Sequence, residues 1–177
     1  MKMQVSTLFD TKFDWLLKID VTTFVIMENL RHFVSSLDPL LPFYLGHAVS
    51  STWGMTYNSA DAGIVMSRGA VLQLQQALTT GVCSSDGVHS SDIELGTCLA
   101  KVSIHPQDTR DINGHARFLP FDPEAHLLRK SLSWFSFMWK KSKYPIKEVV
   151  TMCLVDLYVY KCVCIYSVYD FIINILL

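Results

Sequence analysis

Residues 14–39 read DWLLKIDVTTFVIMENLRHFVSSLDP, and their character changes part-way along. Asp14 to Asp20 is a short apolar run that ends on a carboxylate, the pattern of a buried strand. From Phe24 the apolar residues Phe24, Ile26, Met27, Leu30, Phe33, Val34 and Leu37 recur at mainly helical spacing, with Thr22 or Thr23 placed to cap the helix. Asp38-Pro39 closes that helix, because the residue before proline disfavours the α region. A strand leading straight into an amphipathic helix is the repeating unit of an α/β domain.

The pattern continues outward from there. Phe43-Tyr44-Leu45-Gly46 reads as a second buried strand, and Ala62-Gly63-Ile64-Val65-Met66 as a third. Ser67 caps a helix running to about Thr79, with Gly81 as its stop. A polar loop, SSDGVHSS from Ser84, leads to Ser90 or Ser91 and a further helix over roughly Asp92 to Lys101. Prolines 106, 120 and 123 make the stretch from Ile104 to Asp122 mostly loop. No internal repeat or low-complexity linker interrupts the chain.

Composition narrows the function classes. The 177 residues are enough for one domain with a sizeable core. Half of them are hydrophobic, 12% aromatic and 18% charged, which argues against disorder. A formal net charge of -1 gives no electrostatic footprint for a nucleic acid or another polyanion. The opening MKMQVSTLFDTKFDWLLKID has no long apolar run behind a basic start, so neither a secretory signal nor an N-terminal anchor is expected there. Five cysteines stand at 83, 98, 153, 162 and 164, and none forms a CxxC pair. An odd count rules out complete pairing within the chain and leaves the redox compartment open.

A domain boundary is expected at 148/149. The last segment, 149–177, is rich in Val, Ile, Tyr and Cys, and a membrane helix would want about 20 uninterrupted apolar residues. Asp156, Lys161 and Asp170 break this run, which favours a hydrophobic tail over a span.

Several blocks, taken together and in order, carry a family resemblance. They are the stretch quoted first, FYLGH, AGIVMSRGAVLQLQQALTTGVC, SSDIELGTCLAKV, DTRDINGHARFLPFDPEAHL and WKKSKYP. From about Phe13 to Pro145 these resemble the core 1 β1,3-galactosyltransferase family, which includes a chaperone relative. The resemblance implies that 1–148 is the C-terminal portion of an incomplete, fringe-like GT-A glycosyltransferase domain. It implies galactose transfer from UDP-galactose to GalNAc on Ser or Thr of a glycoprotein, with Mn2+ as cofactor. A Golgi or ER membrane location on the luminal side follows, with a homodimer or a family partner. Thr22-Thr23-Phe24, Glu28-Asn29-Leu30 and Pro42 to His47 are closer to the chaperone, so a catalytically silent binding role is the alternative.

The resemblance also places the site residues. The family's run of three aspartates reads Asp20-Val21-Thr22 here, leaving Asp20 as metal ligand; a strand-end cap is its other reading. The Ser91-Asp92-Ile93-Glu94-Leu95-Gly96 block puts Asp92 at the position of the base that takes the acceptor's proton. A first-turn acid favouring the helix dipole is the alternative for Asp92. Cys83 and Cys98 match cysteines that flank this loop and helix, implying a disulfide, with two buried thiols as the other possibility. Trp139 keeps one tryptophan of the acceptor-binding segment, either as a sugar platform or as a packing residue. Asp61 departs from a glycine-rich strand entry and adds bulk and charge. After Pro145 the resemblance stops.

Overall fold

The computed structural model describes residues 13–20, 22–51, 54–83, 90–121, 149–153 and 171–175. β1 (Trp15–Ile19) lies inside a four-stranded sheet, flanked by β6 (Ile64–Ser67) and β9 (Phe171–Ile175), with β3 (Tyr44–Gly46) beyond β6. All three pairings are antiparallel. Successive side chains of a strand point to opposite faces, and β1 uses both. Leu16 enters one core cluster with Tyr44, Ile64, Met66, Leu74, Leu95 and Leu99. Trp15 and Leu17 enter a second with Leu45, Val65, Leu30 and Val34. A strand covered on both sides reads as a continuous apolar run rather than an alternating one, which is why WLLKI carries so little polarity.

Helices supply the two covers. α1 (Met27–Val34) packs on the Trp15/Leu17 face, whereas α2 (Arg68–Thr79) and α3 (Ser91–Lys101) pack on the Leu16 face. The layering is that of an α/β domain, although the central pairings are antiparallel. α2 starts at Ser67, whose side chain accepts the Ala70 N–H, and Gly81 follows its end with φ +73°. Gly69 is needed in its first turn, since a Cβ there would lie 2.2 Å from the Leu40 carbonyl oxygen.

The first helix differs from the sequence expectation. Neither Thr22 nor Thr23 caps it; the N-cap is Ile26, without a side-chain cap bond. The reason is that Thr23–Val25 form β2, paired antiparallel with β8 (Thr151–Cys153). Thr and Val suit a pleated strand, and a partner strand from far along the chain claims them. β8 also pairs in parallel with β7 (Phe118–Leu119), giving a second sheet, β2-β8-β7. A hairpin of β4 (Ala48–Ser50) and β5 (Thr56–Asn58) lies between β3 and β6, where the sequence analysis placed no element. Thus Thr151–Cys153 and Phe171–Ile175, both from the segment beyond 148, each join a sheet. Among the described residues no helix is long and apolar enough to cross a membrane.

Candidate functional site

Three local structures converge where β1 ends. The first is the turn out of β1, in which Thr23 N–H donates to the Asp20 carbonyl at 3.0 Å. The Asp20 N–H returns a bond to Thr23 Oγ1 at 3.2 Å. The second is the turn into β6, closed by Gly63 N–H to the Ala60 carbonyl at 2.9 Å. Gly63 has φ +76°, a conformation that favours glycine, and this turn presents Asp61. The Thr23 hydroxyl donates to the Asp61 carbonyl at 3.3 Å, fastening the two turns together.

The third structure is the start of α3, which carries Asp92. Its Oδ2 accepts the Ala60 N–H at 3.3 Å, while Oδ1 accepts the Ile93 N–H at 2.9 Å and the Ser90 hydroxyl. Asp92 therefore clamps the first turn of α3 to the turn bearing Asp61. Ser90, though at the N-cap, spends its hydroxyl on Asp92 rather than on a helix N–H. Lys18, on the face of β1 shared with Leu16, is buried and donates from Nζ to Ser91 Oγ at 3.4 Å.

The electrostatics follow from this crowding. Burial pushes the Asp61 carboxyl above its ordinary value, the charges of Asp92 and Asp20 add to the rise, and Lys18 opposes it. Tyr57, on β5, is raised by burial and then by Asp92 and Asp61. Tyr44 is raised mainly by burial, even though its oxygen accepts the Asn58 N–H at 3.0 Å.

Sequence reasoning named Asp20 and Asp92, and the structure brings both to this corner. Asp61 was noted only as bulk and charge. Lys18 and Tyr57 were missed, because nothing local in the sequence ties a strand lysine to a helix start 73 residues on. Cys83 and Cys98 are joined by a disulfide with a Cα–Cα distance of 5.4 Å, linking the chain just after α2 to α3. Trp139 lies outside the described residues.

The stretch from Asp108 to Phe121 shapes the far side of the second sheet. Asp111 organises a tight loop: its carboxylate accepts the Asn113 and His115 N–H groups, each at 2.8 Å, and meets His115 Nδ1 at 2.7 Å. Thr109 Oγ1 donates to the Gly46 carbonyl at 2.9 Å, and His47 Nδ1 lies 2.9 Å from the Phe118 carbonyl. Arg117 stacks over Phe33 of α1, 4.9 Å from the ring centre. These bonds lock the segment to both β3 and α1.

No protein-family model matches the chain. It is 34% identical over 141 residues to the glycoprotein-N-acetylgalactosamine 3-beta-galactosyltransferase 1 of Xenopus laevis, covering 79% of this chain and 39% of that protein. It is 29% identical over 96 residues to the beta-1,3-glucosyltransferase of Mus musculus, covering 52% of this chain and 19% of the other. The chain belongs to the β1,3-glycosyltransferase family. Within that family it is a relative of the galactosyltransferase that acts on glycoprotein N-acetylgalactosamine, as the ordered sequence blocks led one to expect. It spans well under half the length of either relative.

Proposed function

We propose that the corner formed by Asp20, Asp61 and Asp92 is the acceptor-side part of a β1,3-galactosyltransferase site within a fringe-like GT-A domain. The donor under this reading is UDP-galactose, and the acceptor is GalNAc on Ser or Thr of a glycoprotein. The observation that supports it most is the placement of Asp92, fixed at the first turn of α3 by the Ala60 N–H of the turn that bears Asp61. In the transfer, the acceptor hydroxyl oxygen forms a bond to the sugar's anomeric carbon as the bond to UDP breaks. Asp92 receives the hydroxyl proton as the general base. A luminal Golgi or ER location fits the Cys83–Cys98 disulfide, since oxidising compartments keep such bonds. Trp139 is assigned to acceptor binding, and a homodimer or family partner completes the reading.

Mn2+ is the cofactor the resemblance implies, and the residues at the site do not fit it. A hard divalent cation wants several oxygen ligands, carboxylates foremost. Asp20 is the one carboxylate in the Asp20-Val21-Thr22 run, and a hydroxyl stands at Thr22. Among the described residues, no group of three or more His, Cys, Asp or Glu side chains is arranged to hold a metal ion. No step of the transfer is therefore routed through a metal.

The loss of that carboxylate favours a second reading, a catalytically silent binding or folding relative like the family's chaperone. A transfer assay with UDP-galactose and a GalNAc-peptide separates the two. Turnover that disappears in Asp92→Asn supports the enzyme. No turnover, with rescue of a misfolded galactosyltransferase partner, supports the chaperone.

A further inference from the structure

We propose that the hollow between the C-terminal half of α1 and Arg117 is a second binding site, built for a neutral, hydroxyl-rich ligand, a sugar unit. The hollow measures about 420 Å³ and is lined by Asn29, His32, Phe33, Ser35, Ser36 and Arg117. That volume lies within the range of small-molecule sites. α1 covers the Trp15/Leu17 face of the central sheet, whereas α3, which carries Asp92, covers the Leu16 face. The hollow shares no residue with the corner of Asp20, Asp61 and Asp92, so a ligand held here is separate from one held at Asp92.

The polar groups of the hollow are held in place by the fold. Asn29 Nδ2 donates to the Val149 carbonyl at 2.7 Å. The Ser35 hydroxyl donates to the His32 carbonyl at 2.8 Å, and the Ser36 hydroxyl to the Phe33 carbonyl at 3.5 Å. Arg117 donates from Nη1 to the Thr109 carbonyl at 3.1 Å, with its guanidinium 4.9 Å above the Phe33 ring centre. Groups fixed before a ligand arrives lose little further freedom on binding it. Their chemistry selects the ligand. A hydroxyl that has given its hydrogen to a helix carbonyl offers acceptor lone pairs, whereas a guanidinium carries donors alone. An anion would face those lone pairs and the negative end of the α1 dipole, and a cation would face Arg117. A sugar hydroxyl both donates and accepts, so neighbouring hydroxyls of one ring satisfy both kinds of group, and the half-buried Phe33 supplies the apolar wall that such sites need. The inference does not depend on the transferase reading, because binding is followed residue by residue.

The test is a titration of the full, isotope-labelled chain with galactose, glucose and N-acetylgalactosamine, followed by amide NMR, with inorganic phosphate as the anionic control. At least one sugar is expected to shift the His32, Ser35 and Ser36 amides and the Arg117 Nε–H saturably in the millimolar range, and phosphate is expected not to. A double variant, His32→Ala with Ser36→Ala, changes two exposed positions and should keep the parent Tm. It should bind the same sugar about tenfold more weakly, through the loss of neutral hydrogen bonds. The proposal is overturned by the absence of saturable shifts at these residues with every sugar, by equal affinity in the double variant, or by larger shifts with phosphate. Sugar shifts confined to residues 91–93 would also overturn it, and would leave the transferase reading intact.

Discussion

Gly96 of α3 stands directly against Tyr57 of β5: a Cβ on Gly96 would lie 2.5 Å from the Tyr57 Cβ and 3.6 Å from the Tyr44 hydroxyl oxygen. Residues four apart share a helix face, so Gly96 and Asp92 look the same way. The close approach at Gly96 lets the helix settle on the hairpin, and this brings Asp92 within reach of the Ala60 N–H. One missing side chain thus sets the position of the candidate base.

Gly96→Ala pits two effects against each other. Alanine gains about 1 kcal/mol of helix propensity. Against this, the new methyl meets a Cβ next to the Tyr57 backbone rather than a flexible side-chain end, and overpacking of this kind costs about 1–3 kcal/mol. The steric term wins: the variant is expected to be less stable, with a lower urea midpoint. Transfer activity should fall further than stability, because α3 must shift outward. A variant more stable than the parent would show that the helix does not sit as described.

Asp92→Asn separates the clamp from the chemistry. The amide oxygen keeps the Ala60 N–H while the Ile93 N–H loses its side-chain acceptor, so the fold should hold with a modest fall in Tm. The amide takes no proton, and loss of a general base typically costs about 10²–10⁴ in rate. The expected result is a fall in kcat of that order with KM nearly unchanged. Equal rates for the two proteins would reduce Asp92 to a helix-start residue.

Much of this corner was legible in the sequence, and the limits have physical causes. The strand at Trp15–Ile19, the Ser67 cap and the α2 stop at Gly81 depend on neighbours within a few residues, and each reads correctly from its own window. β2 does not: Phe24 and Val25 satisfy a helical pattern equally well, and only pairing with Thr151–Cys153 decides their state. The β4–β5 hairpin is missed because its strands are three residues each, too short for a period to show. Asp20 and Asp92 were found through ordered blocks of resemblance. Lys18 was not, since a lysine in a strand signals exposure until a helix from elsewhere covers it.

Asp61 and Asp111 should shape the pH profile of stability in opposite directions. The folded-state value of Asp61 is raised, by burial first and then by Asp92 and Asp20. Below about pH 3.9, the ordinary aspartate value, it is protonated in both states and costs nothing. As pH rises from there through the raised value the penalty grows, and above it the penalty is constant. Burial also pushes Asp111 upward, but hydrogen bonds from His115 and Asn113 outweigh this and hold it below the ordinary range. Its contribution is full above about pH 3.9 and is lost as pH falls through the depressed value. Urea midpoints measured against pH should therefore show Asp61→Asn gaining stability at neutral pH and nothing near pH 3 (roughly, from the same reference value). Asp111→Asn should lose stability at neutral pH and converge on the parent in acid.

The Cys83–Cys98 disulfide closes a loop with a sequence separation of 15 that contains the start of α3. On chain-entropy grounds a loop of that size contributes about 3 kcal/mol by restricting the unfolded chain. Reductant should lower the urea midpoint of the parent accordingly, and should leave a Cys83→Ser, Cys98→Ser double variant unmoved at the lower value. Activity should respond more sharply than stability does. Asp92 lies within the closed loop, nine residues beyond Cys83 and six before Cys98 by sequence number, so opening the bond loosens the helix start that carries it. A reduced protein with unchanged kcat would mean that the Ala60 contact and the Gly96–Tyr57 seat hold Asp92 without the covalent tie.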